Sequence, residues 1–204
     1  MNSEELVVVT SFPQKGIIHG KSVVGVASYA KNTLLALKRY KNDIQITVLA
    51  EKLDNNKKNY DENGIKIKKI WRRNSFATFI LIFKEIISLK NNKNILIEFE
   101  VAMFGNFIFL LFFPIFLFLL KIFRKKVTIV SHQVITDIEK LSGHINLNSN
   151  LKIILLNFFI GIFYRIMLMI SWRIIVFDDA LKKRLQCFGN KNKIVVIPHG
   201  VEKF

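Results

Sequence analysis

The chain has 204 residues, 51 % of them hydrophobic, and a formal net charge of +16 from 31 Lys and Arg against 15 Asp and Glu. That length fits one domain, 1–204, with a substantial core of its own. The lone cysteine, Cys187, excludes an internal disulfide. A pI near 10.0 favours polyanionic partners, whether lipid surfaces, diphosphates or nucleic acid, although a bias toward Lys, Asn, Ile and Phe accounts for part of it. The aromatics sit in apolar runs and are not interleaved with Lys and Arg, which argues against nucleic acid. Glu4 and Glu5 stand at the front, and no basic start, apolar stretch and small-residue cleavage site follow. The expected location is therefore cytoplasmic.

Along the chain, apolar β-branched runs alternate with longer helical patterns. Strands are predicted at Leu6–Thr10, Ile44–Leu49, Ile65–Trp71, Asn94–Phe99, Val127–Ser131, Arg173–Phe177 and Ile194–Ile197. Most are unbroken apolar runs, as in a parallel sheet covered on both faces. Ile65–Trp71 instead alternates Ile with Lys and slips before Ile70, which predicts an edge or half-exposed strand. Helices are predicted at Val23–Tyr40, Phe76–Lys90, Phe104–Phe123, Leu151–Ser171 and Asp179–Phe188. The order predicts an α/β fold with a doubly wound, Rossmann-like parallel sheet. Asn55–Gly64 and Lys140–Asn150 read as polar loops, the first with turn chemistry at Asp61, Asn63 and Gly64.

Two stretches are unusually apolar. Val101–Leu120 runs for twenty residues without a charge, and Ile153–Trp172 carries only Arg165. Length alone makes the first a candidate span. Its opening Gly105-Asn106, the mid-run Pro114 and the flanking strands instead favour a crossover helix. Ahead of plain core helix and of true span stands a helix part buried and part in a membrane interface. Its basic end, Lys121, Arg124, Lys125 and Lys126, would then meet anionic headgroups.

Four segments carry possible chemistry. The loop Ser11–Val26 leads from a strand to a helix through Gly16, Gly20 and Lys21, an arrangement that exposes backbone N–H groups to phosphate. Its spacing matches neither a dinucleotide fingerprint nor a Walker loop, and a ligand-free glycine turn fits it equally. Glu98 and Glu100, two apart at a strand end, point to one face; a carboxylate at a helix N-terminus is the other reading of Glu100. His132 ends a buried strand at the carboxyl edge, where open α/β sheets bind ligands, and Asp137 follows it. The last segment is the strand Ile194–Ile197, which breaks at Pro198-His199-Gly200. No His-X-X-X-His spacing or Cys pair marks a metal site, and no nucleophile elbow is present.

Together these segments resemble the N-terminal half of a GT-B glycosyltransferase of the retaining family 4 kind (glycosyl transferases group 1). The Pro13-to-Gly20 loop, Glu100 with Phe104-Gly105, the strand ending in His132 and the exit Ile197-Pro198-His199-Gly200-Val201 carry the likeness. The exit is the most specific match; Glu98-Phe99 stand where Gln-His is commoner. The resemblance implies an acceptor-side domain of an enzyme that moves sugar from a nucleotide-sugar to a glycan or lipid-linked acceptor, without metal or other cofactor. It implies His132 as the catalytic-cleft residue and Gly16, Gly20, Lys21, Glu100 and Asp137 as substrate-binding residues. The donor-binding domain is absent from these residues, so the chain is expected to be inactive alone, as a fragment, a truncated product or one half of a split enzyme with a separate C-terminal partner, and to sit peripherally at the inner face of the membrane. The rival readings are a non-enzymatic membrane-anchored protein with spans near 101–120 and 153–172, and a phosphate-ligand binding module on the same fold.

Overall fold

Continuous apolar runs form the centre of the sheet because both of its faces are covered. The structure is a computed structural model that describes residues 4–16, 25–52, 59–89, 92–136 and 150–200. Its strands are β1 (Glu5–Thr10), β2 (Gln45–Glu51), β3 (Tyr60–Glu62), β4 (Ile65–Trp71), β5 (Asn94–Phe99), β6 (Lys126–Ser131), β7 (Arg173–Val176) and β8 (Ile194–Val196). The helices are α1 (Gly25–Tyr40), α2 (Thr78–Ser88), α3 (Phe107–Leu110), α4 (Phe113–Ile122), α5 (Asn150–Ile170) and α6 (Asp179–Gln186). The eight strands run β3-β4-β2-β1-β5-β6-β7-β8, all parallel to their neighbours except β3.

The strand order reverses at β1, with β2 and β4 on one side and β5 to β8 on the other. In such a doubly wound, Rossmann-like sheet the switch point opens a crevice beyond the carboxyl ends of β1 and β5. Alternation along β1 divides the core. Val8 joins Ala30 and Leu34 of α1 on one face. Val7 and Val9 join α2, α4, α5 and α6 side chains on the other, including Phe79, Phe113, Tyr164 and Leu185. The single amphipathic α1 therefore covers the β2–β1 side of its face, and the larger cluster lies under the remaining helices.

Three expectations are corrected. The polar stretch Asn55–Gly64 is not all loop: Tyr60–Glu62 pairs antiparallel with Ile65–Ile67 through an Asn63-Gly64 turn, both residues at positive φ (51° and 76°). Asn-Gly is the dipeptide such a tight hairpin requires. In consequence Ile65–Trp71 is half-exposed, as one of its two readings had it, but it is not the edge strand, since β3 lies outside it. Its slip is real, however: a bulge between Ala50 and Glu51 in the register with β4 rotates Trp71 into the cluster beneath α2 and α4. The Trp71 indole N–H donates to Leu49 O at 2.9 Å.

The third correction concerns Phe104–Phe123, which is not one helix. Pro114 lies in the first turn of α4, where its missing N–H costs nothing, but it cannot continue a helix from upstream. The chain thus makes a turn at 101–104, the short α3 capped by Asn106 onto Ile108 N, and then α4. Ten residues of α4 extend about 15 Å, half of a bilayer's hydrocarbon core.

Between that turn and α3, Gly105 sits at φ +122°, and a Cβ there would lie 2.2 Å from Asn74 Oδ1 and 2.7 Å from Asn74 N. The close approach lets Asn74 Oδ1 accept from Asn106 N at 2.9 Å while Asn74 N donates to Phe104 O. Gly105→Ala should therefore cost about 2–4 kcal/mol through strain and displaced backbone. Urea denaturation will show this as a lower midpoint at unchanged slope.

Candidate functional site

The β5–β6 pairing sets the site. Glu98 lies opposite Val130 and Phe99 opposite Ser131, and His132 N donates to Phe99 O at 3.0 Å, carrying the ladder one residue further. Residues two apart share a face, so Glu98, Glu100, Val130 and His132 all project toward the α1 side. His132 Nε2 lies 2.8 Å from Glu98 Oε2. Glu98 is almost wholly buried at 1 % exposure, and burial pushes its pKa above the ordinary carboxylate value, an effect that the hydrogen bond and charge of His132 partly offset.

Around the imidazole stand three rings from separate elements. Tyr29 of α1 meets His132 edge-on at 5.2 Å and His199 edge-on at 4.9 Å. Phe177, just past β7, meets His132 edge-on at 5.0 Å and stacks on His199 at 3.6 Å. Desolvation, and then the nearby His132, lower the pKa of His199. The Tyr29 phenol is pushed up by burial and by the Glu98 charge, against a lowering hydrogen bond from Thr33.

Tyr29, His132 and His199 line a cleft of about 990 Å³ with Glu100, Gln133 and the exit Ile197–Gly200 on one side and α1 on the other, while Phe177 and Glu98 support it from behind. Gln133 Nε2 donates to Glu100 Oε1 at 3.3 Å. A buried carboxylate on Nε2 fixes ring orientation and leaves Nδ1 as the remaining ring nitrogen, the arrangement by which a positioned histidine accepts or donates a proton. Among the described residues, no group of three His, Cys, Asp or Glu is placed to hold a metal ion. No protein-family model and no curated protein matches the chain.

The structure brings two of the sequence-predicted site residues together: His132 and Glu100 line one cleft. Gly16 lies elsewhere. Its N–H donates to Glu62 Oε1 at 3.0 Å, from a left-handed φ of 79° that suits glycine, and the same oxygen takes Lys31 Nζ at 3.0 Å. The preceding loop is tied the same way, Tyr60 Oη to Pro13 O and Lys69 Nζ to Phe12 O. The described start of the first loop, through Gly16, thus leans over β4 and β3. Gly20, Lys21 and Asp137 lie outside the described residues.

Sequence reasoning missed Tyr29, Phe177 and the role of Glu98. For Glu98 the signal was present, because parity with His132 across adjacent parallel strands follows once their register is known. Nothing local marks Tyr29, which reaches the cleft only through the packing of α1. His199 was visible as the centre of the Pro-X-Gly exit, without its ring partners.

Proposed function

We propose that this domain is the acceptor-side half of a retaining, nucleotide-sugar-dependent glycosyltransferase of GT-B type, whose donor site a second domain would complete. The observation that carries the reading is the Glu98-held His132 within a ring-lined cleft at the carboxyl edge of the sheet. Such a cleft suits a saccharide: rings pack against apolar C–H faces, while Tyr29, Thr33, Asn32, Glu100 and Gln133 offer polar partners for hydroxyls. His132 is the group assigned to the reacting sugar or acceptor, and Glu98 positions it. Glu100 is assigned to an acceptor hydroxyl. The family 4 resemblance of the exit Ile197-Pro198-His199-Gly200 supports the same edge as the interdomain face.

Titrating isotope-labelled chain with oligosaccharides, lipid-linked saccharides and nucleotide-sugars tests the reading. Saccharide acceptors should shift Tyr29, His132 and His199 resonances and lose that effect in His199→Ala, whereas nucleotide-sugars should bind weakly. Tight nucleotide-sugar binding, or robust transfer by the isolated chain, would overturn the assignment of this half to the acceptor.

A further inference from the structure

The helix layer opposite the cleft turns apolar side chains outward along α4 and α5. On α4, Ile115, Phe118 and Ile122 are 53–57 % exposed, and on α5 Leu151 and Phe158 reach 75 % and 62 %. Phe76 joins α3 through ring contacts with Phe109 and Phe112. Phe83 of α2 meets Phe123 after α4. The patch is therefore continuous across α2, α3, α4 and α5, larger than the scattered apolar residues of an ordinary surface.

Along α3, α4 and α5 the described part of this layer carries only positive charge, and the one acid of α2, Glu85, is paired with Lys68 at 2.6 Å. Between Glu100 and Asp178 the only acids in the sequence are Asp137 and Glu139, both outside the described residues. At the amino edge of the sheet the patch runs into a basic pocket of about 470 Å³ lined by Lys121, Lys125, Lys126, Trp172, Arg173 and Lys193. Lys193 is spent on the carbonyls of Leu168, Met169 and Ser171 at the end of α5, Lys125 on Asn92 O, and one Nη of Arg173 on Asn192 O at 2.6 Å, which leaves the rest of that guanidinium to the pocket. Lys126 rests over the Trp172 ring, 5.2 Å from its centroid. Lys121, beside it, is exposed.

We propose that this face docks on an anionic phospholipid bilayer, with a headgroup phosphate in the Lys121–Lys126–Arg173 pocket and Ile122, Phe123 and Trp172 among the acyl chains. Charge complementarity selects the occupant, since cations rimming an apolar surface match a negatively charged leaflet. Docking is flat and not spanning. The window Ile153–Ile170 is long and apolar enough to cross a membrane, and only 22 % of it is buried. Yet Ile160, Tyr164, Met167 and Leu168 are core side chains against the sheet, and Tyr164 Oη accepts from Ile135 N at 2.9 Å. A span would strip those contacts. The cleft, on the α1 side, stays open to water. This inference does not rest on the sugar-transfer reading.

The full chain is to be sedimented with vesicles of phosphatidylcholine alone and with about a third phosphatidylglycerol. Binding is expected only to the second. Trp172 fluorescence should be quenched by brominated acyl chains there, with the buried Trp71 unaffected. Lys121→Ala with Lys126→Ala should weaken binding about thirtyfold, while Lys15→Ala with Arg39→Ala, on the α1 side, should leave it unchanged. Equal binding to both vesicles would overturn the proposal, as would absence of quenching, stabilisation by inorganic phosphate without vesicle binding, or resistance of the membrane-bound chain to alkaline carbonate.

Discussion

Replacing His132 with alanine should destabilise the domain by about 3–5 kcal/mol at neutral pH, and by far less near pH 4. The asymmetry comes from the partner it leaves behind. Glu98 is 1 % exposed and is held toward its charged form only by the hydrogen bond and charge of His132. Without them desolvation acts unopposed, so the folded-state pKa of Glu98 climbs further above the unfolded value of about 4.3. A carboxyl raised on folding binds more protons folded than unfolded, so its stabilising effect is complete below the unfolded pKa and is lost as pH rises through the folded one. Wild type and variant therefore decline together until pH reaches the wild-type folded pKa of Glu98, and above it the penalty of His132→Ala grows. Urea unfolding across that range measures it, and a penalty independent of pH would show that lost ring packing, not the orphaned carboxyl, is responsible.

Glu98→Gln separates the remaining terms. The amide still fills the site and reaches His132, but it does not ionise. The wild-type decline in stability with rising pH should flatten in this variant over the window just above the ordinary carboxylate pKa. If the proposed function holds, transfer by the completed enzyme should fall about 10²–10⁴-fold through the lost proton-accepting partner, with acceptor binding little changed. A variant that merely unfolds would lose both together.

How far the sequence could reach depended on whether a feature is local. Parallel strands buried on both faces leave continuous apolar runs, so Asn94–Phe99 and Val127–Ser131 were readable to within a residue, and the α/β order followed from their alternation with helices. The break at Pro114 was readable in principle, because a proline in the interior of Phe104–Phe123 cannot donate to the preceding turn. The hairpin at Asn63-Gly64 was hidden by a strand of only three polar residues, whose pairing and not whose hydrophobicity makes it a strand. In the cleft, the facing of Glu98 and Glu100 follows from a period of two. Which ring nitrogen Glu98 grips, and which aromatics enclose it, depend on strand register and helix packing that no short segment encodes. Gly16 in the first loop marked a turn but not its direction, which is set by Glu62 and Lys69 far along the chain.

Lys69 sets up the second large effect. It follows the buried Ile65 and Ile67 along β4 and is itself 7 % exposed, its ammonium donating to Phe12 O at 2.6 Å. Glu51, whose charge favours the ammonium, is already engaged by Arg73 Nε at 2.7 Å and by Ser11 Oγ at 3.0 Å. Desolvation outweighs that attraction and lowers the pKa of Lys69 to about 8. The unfolded chain holds this proton up to about pH 10.4, so between the two values it binds more protons than the folded state and stability rises with pH. At 1.36 kcal/mol per unit, the charged ammonium costs on the order of 3 kcal/mol below pH 8. Lys69→Met, similar in reach and uncharged, escapes that cost but leaves Phe12 O without its donor, a loss of about 1–2 kcal/mol. The variant should therefore be the more stable protein at pH 7 by roughly 1–2 kcal/mol, and the less stable one near pH 10.5, where the wild-type lysine is neutral in the folded state, about half neutral in the unfolded one, and keeps its hydrogen bond with most of the charging cost gone. Paired urea titrations at the two pH values decide it: curves that stay parallel would mean that the Lys69 ammonium is as well solvated folded as unfolded.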